Sequence, residues 1–123
     1  MTYPVVHWEI SGPDAEALRR FYSAAFDWTM TPAGPDYTLV EEVDEGLPGG
    51  IMQTGKGIPS YVTVYIRVPD LDAKLAEIQQ LGGTVIIKPT PIDDTMSFAL
   101  FSDPGGAVVG LLQYTTVPRT EKP

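Results

Sequence analysis

The chain contains a single histidine, His7, and no cysteine. Without a thiol there is no disulfide framework, Cys-ligated zinc, iron–sulfur cluster or cysteine nucleophile. One imidazole also excludes a multi-His metal site built from one chain. His7 stands two positions before Glu9 in the run Val5-Val6-His7-Trp8-Glu9-Ile10. In a strand that spacing puts imidazole and carboxylate on one face. An imidazole titrating near pH ~6.5 suits general acid–base work, and a neighbouring carboxylate orients it or shifts its pKa. His7 and Glu9 are therefore the candidate catalytic pair. The plainer alternative is that His7 hydrogen-bonds across the sheet or to a ligand. Ser11, Ser60 and Ser97 lack a nucleophile-elbow context. Gly49-Gly50 and Gly105-Gly106 lack the Gly-Lys-Ser/Thr ending of a phosphate loop and read as turns.

Charge narrows the partners. Eight Lys and Arg stand against 16 Asp and Glu, a net of −8. The cations Arg19, Arg20, Lys56, Arg67, Lys74, Lys88, Arg119 and Lys122 are scattered, so neither nucleic acid nor an anionic membrane is an expected partner. Acidity favours solubility and attracts cationic ligands at long range. Glu41, Glu42, Asp44 and Glu45 form an acidic stretch, read either as an edge that blocks aggregation or as a cation-attracting rim. The N-terminus shows no signal peptide and no apolar run approaches the ~20 residues of a membrane span, so the expected location is cytoplasmic. At 123 residues the chain suits one domain, spanning 1–123.

Two similar halves must position these residues. A shift of 56 positions aligns Pro13-Asp14 with Pro69-Asp70, and pairs His7 with Thr63 and Glu9 with Tyr65. Asp14 caps a helix over 15–26, with Leu18, Phe21, Tyr22 and Ala25 at helical spacing. Asp70 or Asp72 caps a second helix carrying Leu71, Leu75, Ile78 and Leu81, which Gly82-Gly83 ends. Each helix follows a strand (Val5–Ile10; Tyr61–Val68) and precedes three more. These are Trp28–Thr31, Tyr37–Val43 and Gly50–Gln53, then Thr84–Lys88, Met96–Phe101 and Ala107–Tyr114. Each half is β-α-β-β-β: module one covers about 4–54, module two about 60–114, with a tail at 115–123.

The tandem modules, the Val-His-Trp-Glu-Ile strand before a Phe-Tyr-bearing helix, and Phe101-Ser-Asp-Pro-Gly-Gly-Ala-Val-Val-Gly-Leu-Leu-Gln113 form one combination. It resembles the vicinal oxygen chelate superfamily of glyoxalases, bleomycin-resistance proteins and extradiol dioxygenases. The resemblance implies an α+β fold, two tandem βαβββ modules whose sheets form an open cup. Alternation then turns Val6, Trp8 and Ile10, with Val62, Val64, Ile66 and Val68, toward the helices. His7, Glu9, Tyr61, Thr63, Tyr65 and Arg67 line the cup, joined by Gln53 and Gln113. The last six are the candidate ligand-binding residues.

Metal-dependent members similar to this chain use four ligand positions, typically two His and two Glu. These fall on His7, Gln53, Thr63 and Gln113, a set without formal charge, so no cofactor or tight metal is expected. If a divalent zinc, nickel, manganese or iron ion were held, His7 with Gln53 and Gln113 would hold it. The leading expectation is a homodimer binding a small organic molecule, in the manner of drug-sequestering resistance proteins. A metal-dependent glyoxalase-, epimerase- or dioxygenase-like enzyme and a degenerate, non-catalytic subunit are the alternatives.

Overall fold

The computed structural model describes residues 2–114; the expected tail at 115–123 lies outside them. Element order is β1 (Val5–Gly12), α1 (Ala15–Phe26), β2 (Met30–Pro32), β3 (Tyr37–Val40), β4 (Gly49–Gln53), then β5 (Tyr61–Arg67), α2 (Leu71–Gln80), β6 (Thr84–Pro91), β7 (Met96–Ser102) and β8 (Val108–Tyr114). The β-α-β-β-β order therefore occurs twice. The chain forms two compact units, one of Val6–Val64 and one from Tyr65 onward that also takes in the chain's start up to Val5. The boundary cuts β5 itself. In the second unit the Arg67 N–H donates to the Pro4 carbonyl at 2.9 Å, and Tyr3 packs on that unit's core.

In the first unit the strands lie in the order β2-β3-β4-β1, with β1 parallel to β4 and the other pairs antiparallel. The core under α1 is Ala15, Val40 and Ile51, with Trp8, Leu18, Tyr22, Trp28 and Met30 around it. In the second unit the order is β5-β8-β7-β6, with β5 parallel to β8. Its core is Val68, Leu71, Leu75, Ala99 and Leu111, joined by Ile66, Ile78, Val85 and Phe101. Trp8, Ile66 and Val68 thus face the helices, as alternation predicts. Val62 and Val64 do not join either core and are 71% and 36% exposed. The helix-covered part of β5 begins only at Ile66.

Both helices start in the same way. Asp14 Oδ1 accepts from the Ala17 N–H and Asp70 Oδ1 from the Ala73 N–H, each at 3.1 Å. A second acceptor comes from the last strand of each module. Gln53 Oε1 takes the Ala15 N–H at 2.9 Å, and Gln113 Oε1 takes the Leu71 N–H at 2.7 Å. Gln53 Nε2 also donates to the carbonyls of Pro13 and Thr54. The first N–H groups of a helix have no partner within it, so each glutamine satisfies one and fastens the strand end to the helix. Gln53→Ala and Gln113→Ala are each expected to cost about 1–3 kcal/mol, the penalty for stranding a part-buried donor. Urea melts of the two variants measure it, and a loss below a few tenths would show that water replaces the amide.

Element ends differ from expectation where backbone chemistry intervenes. α2 closes where Gly82 adopts φ +105°, and the Gly83 N–H returns to the Ile78 carbonyl at 2.9 Å. α1 has no glycine there, and Asp27 takes the left-handed turn with φ 61°. β2 begins two residues late because Trp28 turns into the core instead. β6 runs on through Pro89 to Pro91. Its register slips between Val85 and Ile87 and again before Thr90, and such irregularity on an edge strand accommodates prolines that cannot donate to a ladder.

Candidate active site

The sheet face away from α1 in the first unit is fixed by register. Glu9 pairs with Gly50 and Ser11 with Met52, while Leu39 pairs with Gly50 and Tyr37 with Met52. His7 shares that face by alternation along β1. Two contacts organise it. His7 Nε2 lies 2.8 Å from the Tyr37 hydroxyl, with the rings stacked at 6.3 Å and 23°. The Tyr61 hydroxyl donates to Glu9 Oε2 at 3.0 Å, and Ser11 Oγ donates to the Tyr61 carbonyl at 3.3 Å.

Gly50 is what lets Tyr37 reach β1. A Cβ at position 50 would lie 2.0 Å from the Tyr37 hydroxyl. The phenol therefore passes over a strand position that no other residue type leaves open. Tyr37 escaped the sequence reading, although Tyr37-Thr38-Leu39-Val40 alternates and Val40 anchors the opposite face in the core.

Burial governs the charges. Glu9 is 2% exposed, a carboxylate beneath the sheet surface held by the Tyr61 phenol. The Tyr61 hydroxyl titrates above its ordinary value, first because burial disfavours the phenolate and then because the Glu9 charge opposes it. Burial pushes the His7 imidazole below its ordinary value of 6.5. In the unfolded chain His7 takes up its proton near pH ~6.5, before the folded form does. Its contribution to stability is therefore complete above that pH and falls as pH drops below it. Melts at pH 7.5, 6.5 and 5.5 are expected to show a shallower acid loss in His7→Gln than in the native chain. An identical slope in both would remove His7 from the titration.

The predicted site residues divide. His7, Glu9 and Tyr61 come together, and Thr63, 6% exposed, follows Tyr61 in the same alternation. In the second unit Tyr65 is buried with its ring against Gly110, where a Cβ would fall 2.3 Å from Cδ2. Arg67 sits with its guanidinium carbon 6.0 Å from the Tyr114 ring centre. Gln53 and Gln113 are placed differently from the cup lining expected of them. They share a face with Ile51 and Leu111, which are 0% and 2% exposed under the helices, so that face is the helix side.

The same correction bears on a metal. On the face parity of His7, β4 offers Gly50 and Met52; the residues of β8 opposite in parity to Leu111 are Gly110 and Leu112. Both glutamine oxygens are engaged by helix N–H groups. Among the described residues no group of three or more His, Cys, Asp or Glu is placed to hold a metal ion. With both glutamine oxygens committed to helix N–H groups and no formal charge among His7, Gln53, Thr63 and Gln113, these residues do not fit a divalent cation.

Beside Leu39 an open cavity of about 300 Å³ is lined by Leu39, Val40, Glu41, Glu42 and Pro48. An apolar floor thus lies next to two carboxylates. No helix among the described residues is long and apolar enough to cross a membrane.

Comparison with known proteins agrees with this architecture. The model of the glyoxalase-like domain family matches residues 8–112. CFP32 of Mycobacterium tuberculosis, named for a glyoxylase, is 33% identical over 97 residues, covering 76% of this chain and 37% of that protein. The anthracycline biosynthesis protein DnrV of Streptomyces peucetius is 29% identical over 117 residues, covering 80% and 42%. The chain thus spans about two-fifths of the length of the curated relatives it matches. Among solved structures, a methylmalonyl-CoA epimerase bound to methylmalonyl-CoA superposes with a TM-score of 0.71 at 15% identity, covering 100% of both chains. A Streptomyces coelicolor methylmalonyl-CoA epimerase variant gives 0.67 at 14%, covering 91% and 97%. At such identity these structures speak for the fold alone. With the repeated β-α-β-β-β modules and a family match from Trp8 to Leu112, the chain belongs to the glyoxalase-like domain family of the vicinal oxygen chelate superfamily.

Proposed function

We propose that this chain binds a small, aromatic, cationic organic molecule on the open sheet face of its first unit, without a tight catalytic metal. The reading makes it a sequestering protein of the bleomycin-resistance kind. The observation that carries it is the juxtaposition of His7–Tyr37 and Glu9–Tyr61 on one face, whose Leu39 also lines the cavity with Glu41 and Glu42. Stacked aromatic rings and apolar floor favour a flat ligand, and the carboxylates favour positive charge. A relative named for anthracycline biosynthesis agrees with a polycyclic ligand. Two copies are proposed to associate as a homodimer, which sedimentation equilibrium tests directly: a particle of one chain mass at micromolar concentration removes that part.

Equilibrium dialysis tests the ligand class, using chelator-treated protein with a cationic anthracycline and an anionic naphthalene sulfonate. Retention of the cation, weakened about tenfold in Glu41→Gln/Glu42→Gln by loss of a charge contact, is the expected result. Retention of the anion alone would overturn the reading. Elemental analysis after exposure to zinc, nickel, manganese and ferrous iron addresses the enzyme alternative. A stoichiometric ion that His7→Ala loses would favour a metal-dependent lyase, isomerase or dioxygenase.

A further inference from the structure

The second unit has an open sheet face of its own, fixed by register. Arg67 pairs with Leu112 on β8, Leu112 with Phe98 on β7, and Phe98 with Thr90 on β6. Tyr114 pairs with Met96 two residues further along and shares the face. Ala99 and Leu111, paired one position away, lie in the core under α2, so Arg67 and its row stand on the side away from the helix. Leu112, Phe98, Tyr114 and Met96 are all half-buried, an apolar floor that solvent still reaches. Among the described residues that β5, β7 and β8 turn to this face, Arg67 alone is charged. It is exposed, and its guanidinium carbon stands over the Tyr114 ring, 6.0 Å from the centre. Stacking of this kind uses the flat face of a guanidinium and leaves the N–H donors in its plane for an oxyanion.

We propose that this face binds a small aromatic carboxylate. The ring lies on the floor of Leu112, Phe98 and Tyr114, and the carboxylate accepts from the Arg67 guanidinium. A guanidinium offers two parallel N–H donors at the spacing of the two carboxylate oxygens, which a primary amide cannot match with its single oxygen. The chain's net charge of −8 repels anions at long range, so an anion gains nothing from the overall field and depends on one local contact. Apolar floor and lone cation together therefore select for an aromatic acid over its neutral counterpart, because both molecules use the floor and only the acid uses the fork. The inference stands on residues of the second unit and is separate from the cationic-ligand reading, which concerns the first.

Binding of 2-naphthoate and 2-naphthamide to the full chain at pH 7, measured by equilibrium dialysis, tests it. The two probes share a ring system and differ in charge. The native chain is expected to prefer the naphthoate about tenfold, the low end for hydrogen bonds to a charged group. Arg67→Gln is expected to bring that preference close to one, its fold checked by circular dichroism. Arg67→Lys keeps the charge and loses the fork, so only part of the preference is expected to remain. Nitrogen-15 spectra locate the contact: the Arg67 Nε–H resonance, identified by its absence from Arg67→Gln, is expected to move with naphthoate and to stay in place with naphthamide. Equal affinity of the native chain for both probes overturns the inference. A preference that survives Arg67→Gln also overturns it, because the carboxylate is then held elsewhere. Binding of neither probe overturns it as well.

Discussion

Ile51→Ala is expected to lower stability by about 2–5 kcal/mol, and Leu111→Ala by a similar amount, the range for emptying a well-packed aliphatic position. Ile51 is 0% exposed and Leu111 2%. Each sits at the centre of its own unit's core, beneath its own helix. Each also lies two residues before the glutamine that fastens that helix. The loss therefore includes more than transfer of the deleted methylenes, because a strand that settles toward the cavity draws the glutamine off the helix N-terminus. Ile51→Val, which keeps most of the volume, is expected to cost about 0.5–1.5 kcal/mol. Guanidinium melts of the three variants measure these values. An Ile51→Ala loss no greater than that of Ile51→Val would mean the core closes over the gap and the helix is held some other way.

Tyr61→Phe carries the second large effect. It deletes one oxygen and leaves the Glu9 carboxylate, almost wholly enclosed, short of a donor. Losing one hydrogen bond to a buried charged group costs about 1.5–3 kcal/mol. Glu9→Gln in the same background removes the charge that most needs the phenol, so the double variant is expected to recover part of the loss. That non-additivity isolates the pair from its surroundings. Alkaline titration supplies an independent check. The Tyr61 hydroxyl has a folded pKa raised above its ordinary 10.0, so its contribution is complete below about 10 and lost as pH climbs through the folded value. The phenolate absorbance missing from Tyr61→Phe should therefore belong to a late-titrating tyrosine. If it instead rises at the ordinary value of 10.0, the Tyr61 hydroxyl is not held against Glu9 in solution.

The legible parts of this molecule were those in which local chemistry and the fold agree. Asp14 and Asp70 announce helix starts because a short carboxylate meets the stranded N–H groups two or three residues on. Gly82 announces a stop because the backbone there needs a positive φ. On β1 the alternation separated Trp8 from His7 and Glu9, and the structure places Trp8 under α1. Period-2 reasoning has a blind spot, though. It says which residues share a face, and not which face a helix will cover. Gln53 was correctly grouped with Ile51 and Gln113 with Leu111, yet the covered side was misjudged, and both amides turned out to meet helix N-termini. Tyr37 was invisible for a related reason. Its partner is two strands away, and only the missing Cβ at Gly50 permits the contact. Val62 and Val64 illustrate the limit of pattern alone: they alternate as core residues would, yet they are exposed and join neither core.

The glutamine fastening also decides what cannot approach the two helices. A helix N-terminus with open N–H groups attracts phosphate and carboxylate. Here the first N–H of each helix already holds an amide oxygen tethered to the same chain, and a tethered competitor acts at a high effective concentration. The adjacent Asp14 and Asp70 carboxylates add repulsion. A phosphorylated molecule in free solution therefore competes at a double disadvantage for either helix end, and anion selectivity in this chain has to be sought elsewhere.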